Sequence, residues 1–320
     1  ALHRIWIATD DAGLDCYDPV SGKFVNFPGK AAMRKYNVHA LLAEGSTLWL
    51  GTYGSDIIRM DMTTGATKTY RLENAPAGSS CYCLFRDSRH RLWATSMNKA
   101  FIFNEGKNAF DMVKTLNSLT IDIDEDRQGN VWFGTQGNGL WRYGANKAWK
   151  QFMHGDGGSA TMPGSQINCL HFNGKDRMYI ATNVGLYTYN VATGKFSKAD
   201  VNAPSQDFTS IIEVQGELWL SSSKGIVRYV PGEPVQVFNR YDGLTCDQFL
   251  PNSGLLASDG RIYFGTTQGF NAFYPYQVKV NHVAPPVAIT SLELFNKHVE
   301  VGSDKLPESL GLIKQLELSY

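Results

Sequence analysis

No charge of one sign predominates in this sequence. Lys plus Arg and Asp plus Glu number 30 each, so no global field draws the chain to nucleic acid or to an anionic membrane surface. No apolar run approaches the roughly 18 residues of a membrane-spanning helix. The opening Ala1-Leu2-His3-Arg4 is no signal peptide and holds no initiator Met, and we expect an excised or processed piece of a longer protein. Cysteine is scarce: Cys16, Cys81, Cys83, Cys169 and Cys246 are odd in number and contain no CxxC. This argues against a disulfide framework or a zinc ribbon. Cys81 and Cys83 stand two apart, a spacing that bonds poorly along one extended strand. All five read as small buried hydrophobes. No sustained 3.6-residue period occurs, which excludes helical bundles and helical repeats. HExxH, a Gly-x-Ser-x-Gly elbow and a P-loop are also lacking.

What is present is glycine, aromatic residues and a repeat. Thirty-one glycines and a 12% aromatic content over 320 residues point to an all-β chain with frequent turns. One aromatic recurs in Arg4-IWIAT, Thr47-LWLGT, Arg91-LWATS, Asn130-VWFGT, Arg177-MYIAT, Glu217-LWLSS and Arg261-IYFGT. It is Trp6, Trp49, Trp93, Trp132, Tyr179, Trp219 and Tyr263, at successive spacings of 43, 44, 39, 47, 40 and 44 residues. Four-stranded propeller blades have this period, whereas leucine-rich repeats are shorter. Each repeat parses into an apolar first strand (Ile167-NCLHF), a polar turn (Asp126-RQGN), the aromatic strand, a third strand opening on glycine (Gly139-LWRY) and an outer strand. Such a sheet is apolar on both faces and is stable only when stacked against others around an axis. The recurrent aromatic is then the wedge between neighbouring blades, a structural group. We therefore expect a seven-bladed β-propeller over residues 1–281. Its first repeat starts at the second strand, so the missing innermost strand comes either from upstream of Ala1 or from Gln277-VKVN.

Residues 282–320 break the repeat. Pro285-Pro286 reads as a linker, Val287-AITSLELFNKHVEV as a strand or hairpin and Gln315-LELSY as another strand. The expectation is the first strands of a C-terminal fibronectin/immunoglobulin-like β-sandwich, or a tail docked on the propeller.

The repeat resembles the two-component regulator propeller, most closely at Asp126-RQGNVWFGTQGNGLWRY. Tyr241-DGLTCDQF followed by Ser258-DGRIYFGTTQGFNAFYP looks like that family's last repeat, and Pro285-PVAITSLELFNKHVEV like the start of its triple-tyrosine (Y_Y_Y) domain. The resemblance covers essentially the whole chain. Departures are Ala94-Thr95-Ser96 for Gly-Thr and Lys99-Ala100 for Gly-Leu in the third repeat, with Tyr for Trp in the fifth and seventh. It implies the periplasmic sensor of a hybrid two-component histidine kinase, a portion of an inner-membrane protein that senses oligosaccharides and acts as a homodimer. The membrane helix and the kinase lie outside this chain, so no enzymatic activity is expected of it.

In a propeller the loops after second strands and those between blades share one face around the axis, where binding groups concentrate on a rigid scaffold. Candidate ligand contacts among the former are Tyr53, Asn98, Gln136, Asn138, Asn183, Lys224 and Gln268; among the latter, Arg34, Tyr36, His154, Tyr241 and Gln248. Amides, cations and aromatic rings suit sugar hydroxyls and ring faces. The long loop Met153-HGDGGSATMPGSQ reads as a lid or a tolerated insertion. Asp122, Asp124 and Asp126 imitate a calcium loop, but Arg127 stands where that loop needs glycine and Phe133 where it needs an acid, so Asp126 is read as a turn residue. His39 and His171 lie on innermost strands and are expected to be packed and hydrogen-bonded. No metal and no cofactor is expected. Two rival readings stay open: a propeller lyase or glycosidase, with acids converging from separate blades, and a protein-interaction scaffold with a flat apolar face.

Overall fold

The computed structural model describes residues 4–75, 78–153, 166–278 and 290–313. Two compact units divide the chain, Ala1–Val278 and Lys279–Tyr320.

The first unit is a seven-bladed β-propeller of antiparallel sheets. The fourth blade shows the pattern: Thr120–Glu125 is innermost, followed by Val131–Thr135, Leu140–Tyr143 and Trp149–Phe152. The second, third, fifth and sixth blades have the same four strands. Among the described residues the first blade has three (Ile5–Thr9, Gly13–Asp18, Lys23–Phe24), as does the seventh (Phe249–Leu256, Ile262–Thr266, Gly269–Phe273). They meet where Tyr17 and Phe24 of the first blade pack edge-on against Phe270 of the seventh, at 5.1 and 6.4 Å between ring centroids. The Gln277-VKVN proposal for ring closure falls mostly outside the described residues.

The recurrent aromatic wedges each blade against the next. Trp49 packs with Leu92, Ala94 and Phe101 of the third blade, Trp93 with Phe133 and Tyr143 of the fourth, and Tyr179 with Leu218, Val227 and Tyr229 of the sixth. Trp93 and Trp132 are 0% exposed, and Trp49, Tyr179, Trp219 and Tyr263 are also buried. Trp6, in the first blade, is only half-buried. Two indoles are held by the acid of the preceding turn: Asp87 accepts from Trp93 Nε1 and Asp126 from Trp132 Nε1, both at 2.7 Å. Asp126 also accepts from the Gln128 and Asn130 amides, which explains it as the residue closing the turn. In the second blade Glu44 takes that role, accepting from Trp49 Nε1 at 3.2 Å while Arg86 of the third blade clamps it through two nitrogens at 2.6 and 2.7 Å.

The Gly-Thr of the repeat has a structural reason at each residue. A Cβ on Gly134 would stand 2.6 Å from Ile167 of the next blade's inner strand, so the close approach of blades requires its absence there. The hydroxyl that follows bridges the hairpin: Thr9, Thr52, Thr135, Thr182, Ser222 and Thr266 donate to the carbonyl opening the third strand at 2.6–3.2 Å. At Gly139 that strand turns with φ +73°, and a side chain would strike the Phe152 carbonyl at 2.2 Å. The departing third repeat behaves differently. There Ser96 N–H takes the Lys99 carbonyl, and the buried Thr95 hydroxyl makes no such bond.

In the second unit the described residues form one short hairpin, Glu293–Leu294 paired with Lys297–His298. Phe295 and Asn296 turn it with φ of +52° and +58°, the left-handed pair that tight hairpins use. Gln315-LELSY lies outside the described residues.

Candidate functional site

Four loops of the expected face converge at the sixth and seventh blades. They are the strand-two-to-three hairpins at Ser223-Lys224 and Gln268, the connection Asn239–Gln248 between these blades, and Pro204 from the preceding connection. They enclose an open cleft of about 590 Å³.

Its backbone is tied down by short-range geometry. Asn239 caps a single 3-10 turn over Arg240–Asp242: its side chain accepts from Tyr241 N–H, and Asp242 reaches back to the Asn239 N–H. Gly243 ends the turn at φ +100°. Asp247 then closes the loop on itself and ties it to the sixth blade's hairpin, accepting from Arg240 N–H through its carboxylate and from Gly225 N–H through its carbonyl, each at 2.8 Å. Gln248 N–H bonds Cys246 Sγ at 3.3 Å, and Ser205 and Ser223 hydroxyls meet at 2.9 Å. A rigid frame therefore presents the side chains. Among the described residues, those of Lys224, Arg240, Tyr241, Gln248 and Gln268 make no hydrogen bond or ion pair. Tyr241 is 100% exposed, an uncovered ring at the rim. Two cations, two amides, an open aromatic face and the Asn239 and Asp247 groups thus surround one volume. That set holds polyhydroxylated molecules by hydrogen bonds and ring stacking.

Of the sequence candidates, Lys224, Tyr241, Gln248 and Gln268 line this cleft. The others are distributed around the ring. Tyr53 stacks on His39 at 5.8 Å, with Tyr82 edge-on to the same imidazole at 5.4 Å and Asp10 3.7 Å from Nε2. His39 packs against these rings but is exposed, not buried in the core as the sequence suggested. Arg34 caps the short helical turn Lys30–Met33 and is exposed, and Tyr36 lies under the Lys35 ammonium at 4.9 Å. Asn98, Gln136 and Asn183 are exposed hairpin residues. Asn138 is already committed: it donates to the Leu116 carbonyl at 2.5 Å and accepts from Gln151 at 3.1 Å, which holds its hairpin. His154 lies outside the described residues, as does most of the long loop around it. Sequence reasoning missed Arg240 and Asn239; the Asn-x-x-Asp spacing of the capping box was the signal that could have marked the turn.

The inner strands carry acids in a different role. Asp122 of the fourth blade accepts from the Leu170 amide at 2.8 Å and Asp124 from the Phe172 amide at 2.6 Å, so these carboxylates stitch the inner strand of the fifth blade to that of the fourth. Asn252 of the seventh blade reaches the same Asp122 at 3.0 Å. Loss of hydration among the inner strands pushes Asp122 up to about 6. The same loss, with Asp122 beside it, pushes Asp124 up to about 7. His171 bonds Glu213 of the sixth blade at 2.9 Å. The five cysteines are buried and free, and burial pushes the Cys81 thiol up to about 12, far from a reactive thiolate. Among the described residues no group of His, Cys, Asp and Glu is arranged to hold a metal ion, and no helix is long and apolar enough to cross a membrane.

No protein-family model matches the chain. Histidine kinase P4 of Formosa agariphila is 23% identical over a 380-residue alignment that takes in 96% of this chain and 28% of that protein. This chain thus spans little more than a quarter of the relative's length. Among solved structures, PorZ of Porphyromonas gingivalis, an essential surface component of its type-IX secretion system, superposes with a TM-score of 0.67 at 14% identity, over 85% of this chain and 45% of that one. Virginiamycin B lyase of Staphylococcus aureus superposes at 0.54 and 16% identity, over 76% and 85%. At these identities the structural likeness is one of fold. The sequence likeness to a histidine kinase runs through nearly the whole of the chain.

Proposed function

We propose that this chain is the ligand-sensing, extracytoplasmic part of a hybrid two-component histidine kinase, and that it binds an oligosaccharide in the cleft between the sixth and seventh blades. The observation that carries the reading is the cleft itself: four polar side chains without protein partners, held on a cross-bonded loop frame together with one open tyrosine ring. The likeness to a histidine kinase along 96% of the chain supports the signalling context. In that context the chain is the periplasmic portion of an inner-membrane protein. Binding favours one arrangement of propeller and following sandwich-like Y_Y_Y domain in a homodimer, and that preference is the signal.

Thermal-shift screening of the purified chain against plant and host oligosaccharides, followed by product analysis, tests this. A Tm rise with intact sugar that disappears in Tyr241→Ala and Gln268→Ala is expected. Cleaved sugar makes the protein a propeller enzyme and overturns the reading, as does a sugar response that both variants retain.

A further inference from the structure

A second, smaller cavity lies between the sixth and seventh blades, separate in its lining from the cleft above. It measures about 200 Å³ and is walled by Trp219, Phe238, Leu244 and Phe273. Phe238 stacks on Trp219 at 5.8 Å and Phe273 tilts against it at 5.0 Å, so the walls are aromatic. Two hydrogen-bond donors on this lining have no partner: Trp219 Nε1, on a residue 1% exposed, and Asn271 Nδ2, on a residue 7% exposed. The contrast within the molecule is direct, since Trp93 and Trp132 each give their indole N–H to a turn aspartate. In the sixth blade the corresponding turn is Gln215-Gly216 and supplies no acid. Asn271 is oriented by its other end, because Oδ1 accepts from Thr245 N–H at 2.9 Å. That bond fixes which end is the amide nitrogen and leaves it as a donor.

A buried donor without an acceptor is costly, and native proteins pair nearly all of them. We propose that this cavity is a binding site for a small molecule with a compact apolar body and a carbonyl or hydroxyl oxygen, which accepts from Trp219 Nε1 or Asn271 Nδ2. The volume fits that class, being somewhat larger than the engineered cavity of roughly 150 Å³ that admits benzene. The lining offers no cation for an anionic ligand. The cavity and the outer cleft share no lining residue, although Asp242, Gly243 and Leu244 belong to the loop that frames both, and the test below uses no sugar, so its outcome is read apart from that of the outer cleft.

The test compares acetophenone with α-methylstyrene, which replaces the carbonyl oxygen by a methylene at nearly constant shape. The readout is the indole N–H resonance of Trp219, assigned by its absence from Trp219→Phe. Acetophenone is expected to move this resonance saturably and to bind roughly tenfold more tightly than the hydrocarbon, the usual worth of one well-made hydrogen bond. Asn271→Asp keeps the acceptor for Thr245 and removes the donor, and is expected to lower the preference for the ketone as read at Trp219; Trp219→Phe is expected to lower it as well, read there from the Asn271 side-chain amide resonances. Equal affinity for both probes, a preference unchanged in both variants, or no binding of either probe overturns the proposal, the last by making the cavity a water site.

Discussion

The wedge tryptophans should be unequal, and the inequality is calculable from their burial. Trp132 is 0% exposed, packs against Tyr189 and Phe152 at 5.0 and 5.4 Å, and donates to Asp126 at 2.7 Å. Trp132→Ala removes a whole buried indole, which costs about 3–5 kcal/mol in lost transfer energy and cavity. It also strips a charge-assisted bond from Asp126, about 1–2 kcal/mol more. A domain of this size loses roughly 2–4 °C per kcal/mol, so Tm should fall by about 10–20 °C. Trp6 sits in the three-stranded blade and is only half-buried. Its truncation should cost about half as much, roughly 2 kcal/mol. Scanning calorimetry and urea titration on both variants measure the difference, with an unchanged m-value confirming that stability and not compactness has shifted. If Trp132→Ala costs no more than Trp6→Ala, the rings are not the wedges between blades and the packing argument fails.

Three further outcomes follow from the same contacts. Trp219→Phe should cost about 1–2 kcal/mol less than Trp132→Phe, because both lose buried ring volume but only Trp132 gives up an indole hydrogen bond; paired melts decide. Gly134→Val should destabilise by more than about 2 kcal/mol in urea titration, since even a Cβ stands 2.6 Å from Ile167. Asp122 and Asp124 are raised to about 6 and about 7. Between the unfolded carboxylate value near 4 and those values the folded chain holds more protons than the unfolded one, so their contribution is full below pH 4 and is lost as pH rises through 6 and 7. Asp122→Asn with Asp124→Asn should flatten the Tm profile between pH 5 and 8; a profile as steep as the parent's contradicts the assignment.

The propeller was legible because blade stacking repeats one local requirement at a fixed interval. Trp or Tyr at the wedge, Gly or a small residue where blades touch, and a hydroxyl across the hairpin are each dictated by contacts within a blade or with the next. The third repeat's departure at Thr95 and Lys99 was visible too, and the structure gives it a local consequence. The cleft was half-legible. Lys224, Tyr241, Gln248 and Gln268 could be assigned to one face from the strand pattern, but their meeting depends on how Asn239–Gln248 folds over the sixth blade. Asn138 and Asn98 read alike in sequence as exposed loop amides; only the Leu116 and Gln151 contacts show that Asn138 is already spent on its own hairpin. Asp122 and Asp124 were read as a failed cation loop, because their acceptor role depends on amides of a blade some 48 residues away.

The most direct measurement of the central claim is amide hydrogen exchange of the purified chain, with and without the oligosaccharide that raises its Tm. Slowed exchange concentrated in Asn239–Gln248 and in the hairpins at Ser223-Lys224 and Gln268, with the sugar recovered intact, is the predicted result. Protection confined to other blades, or recovery of cleaved sugar, would contradict a sensing cleft between the sixth and seventh blades.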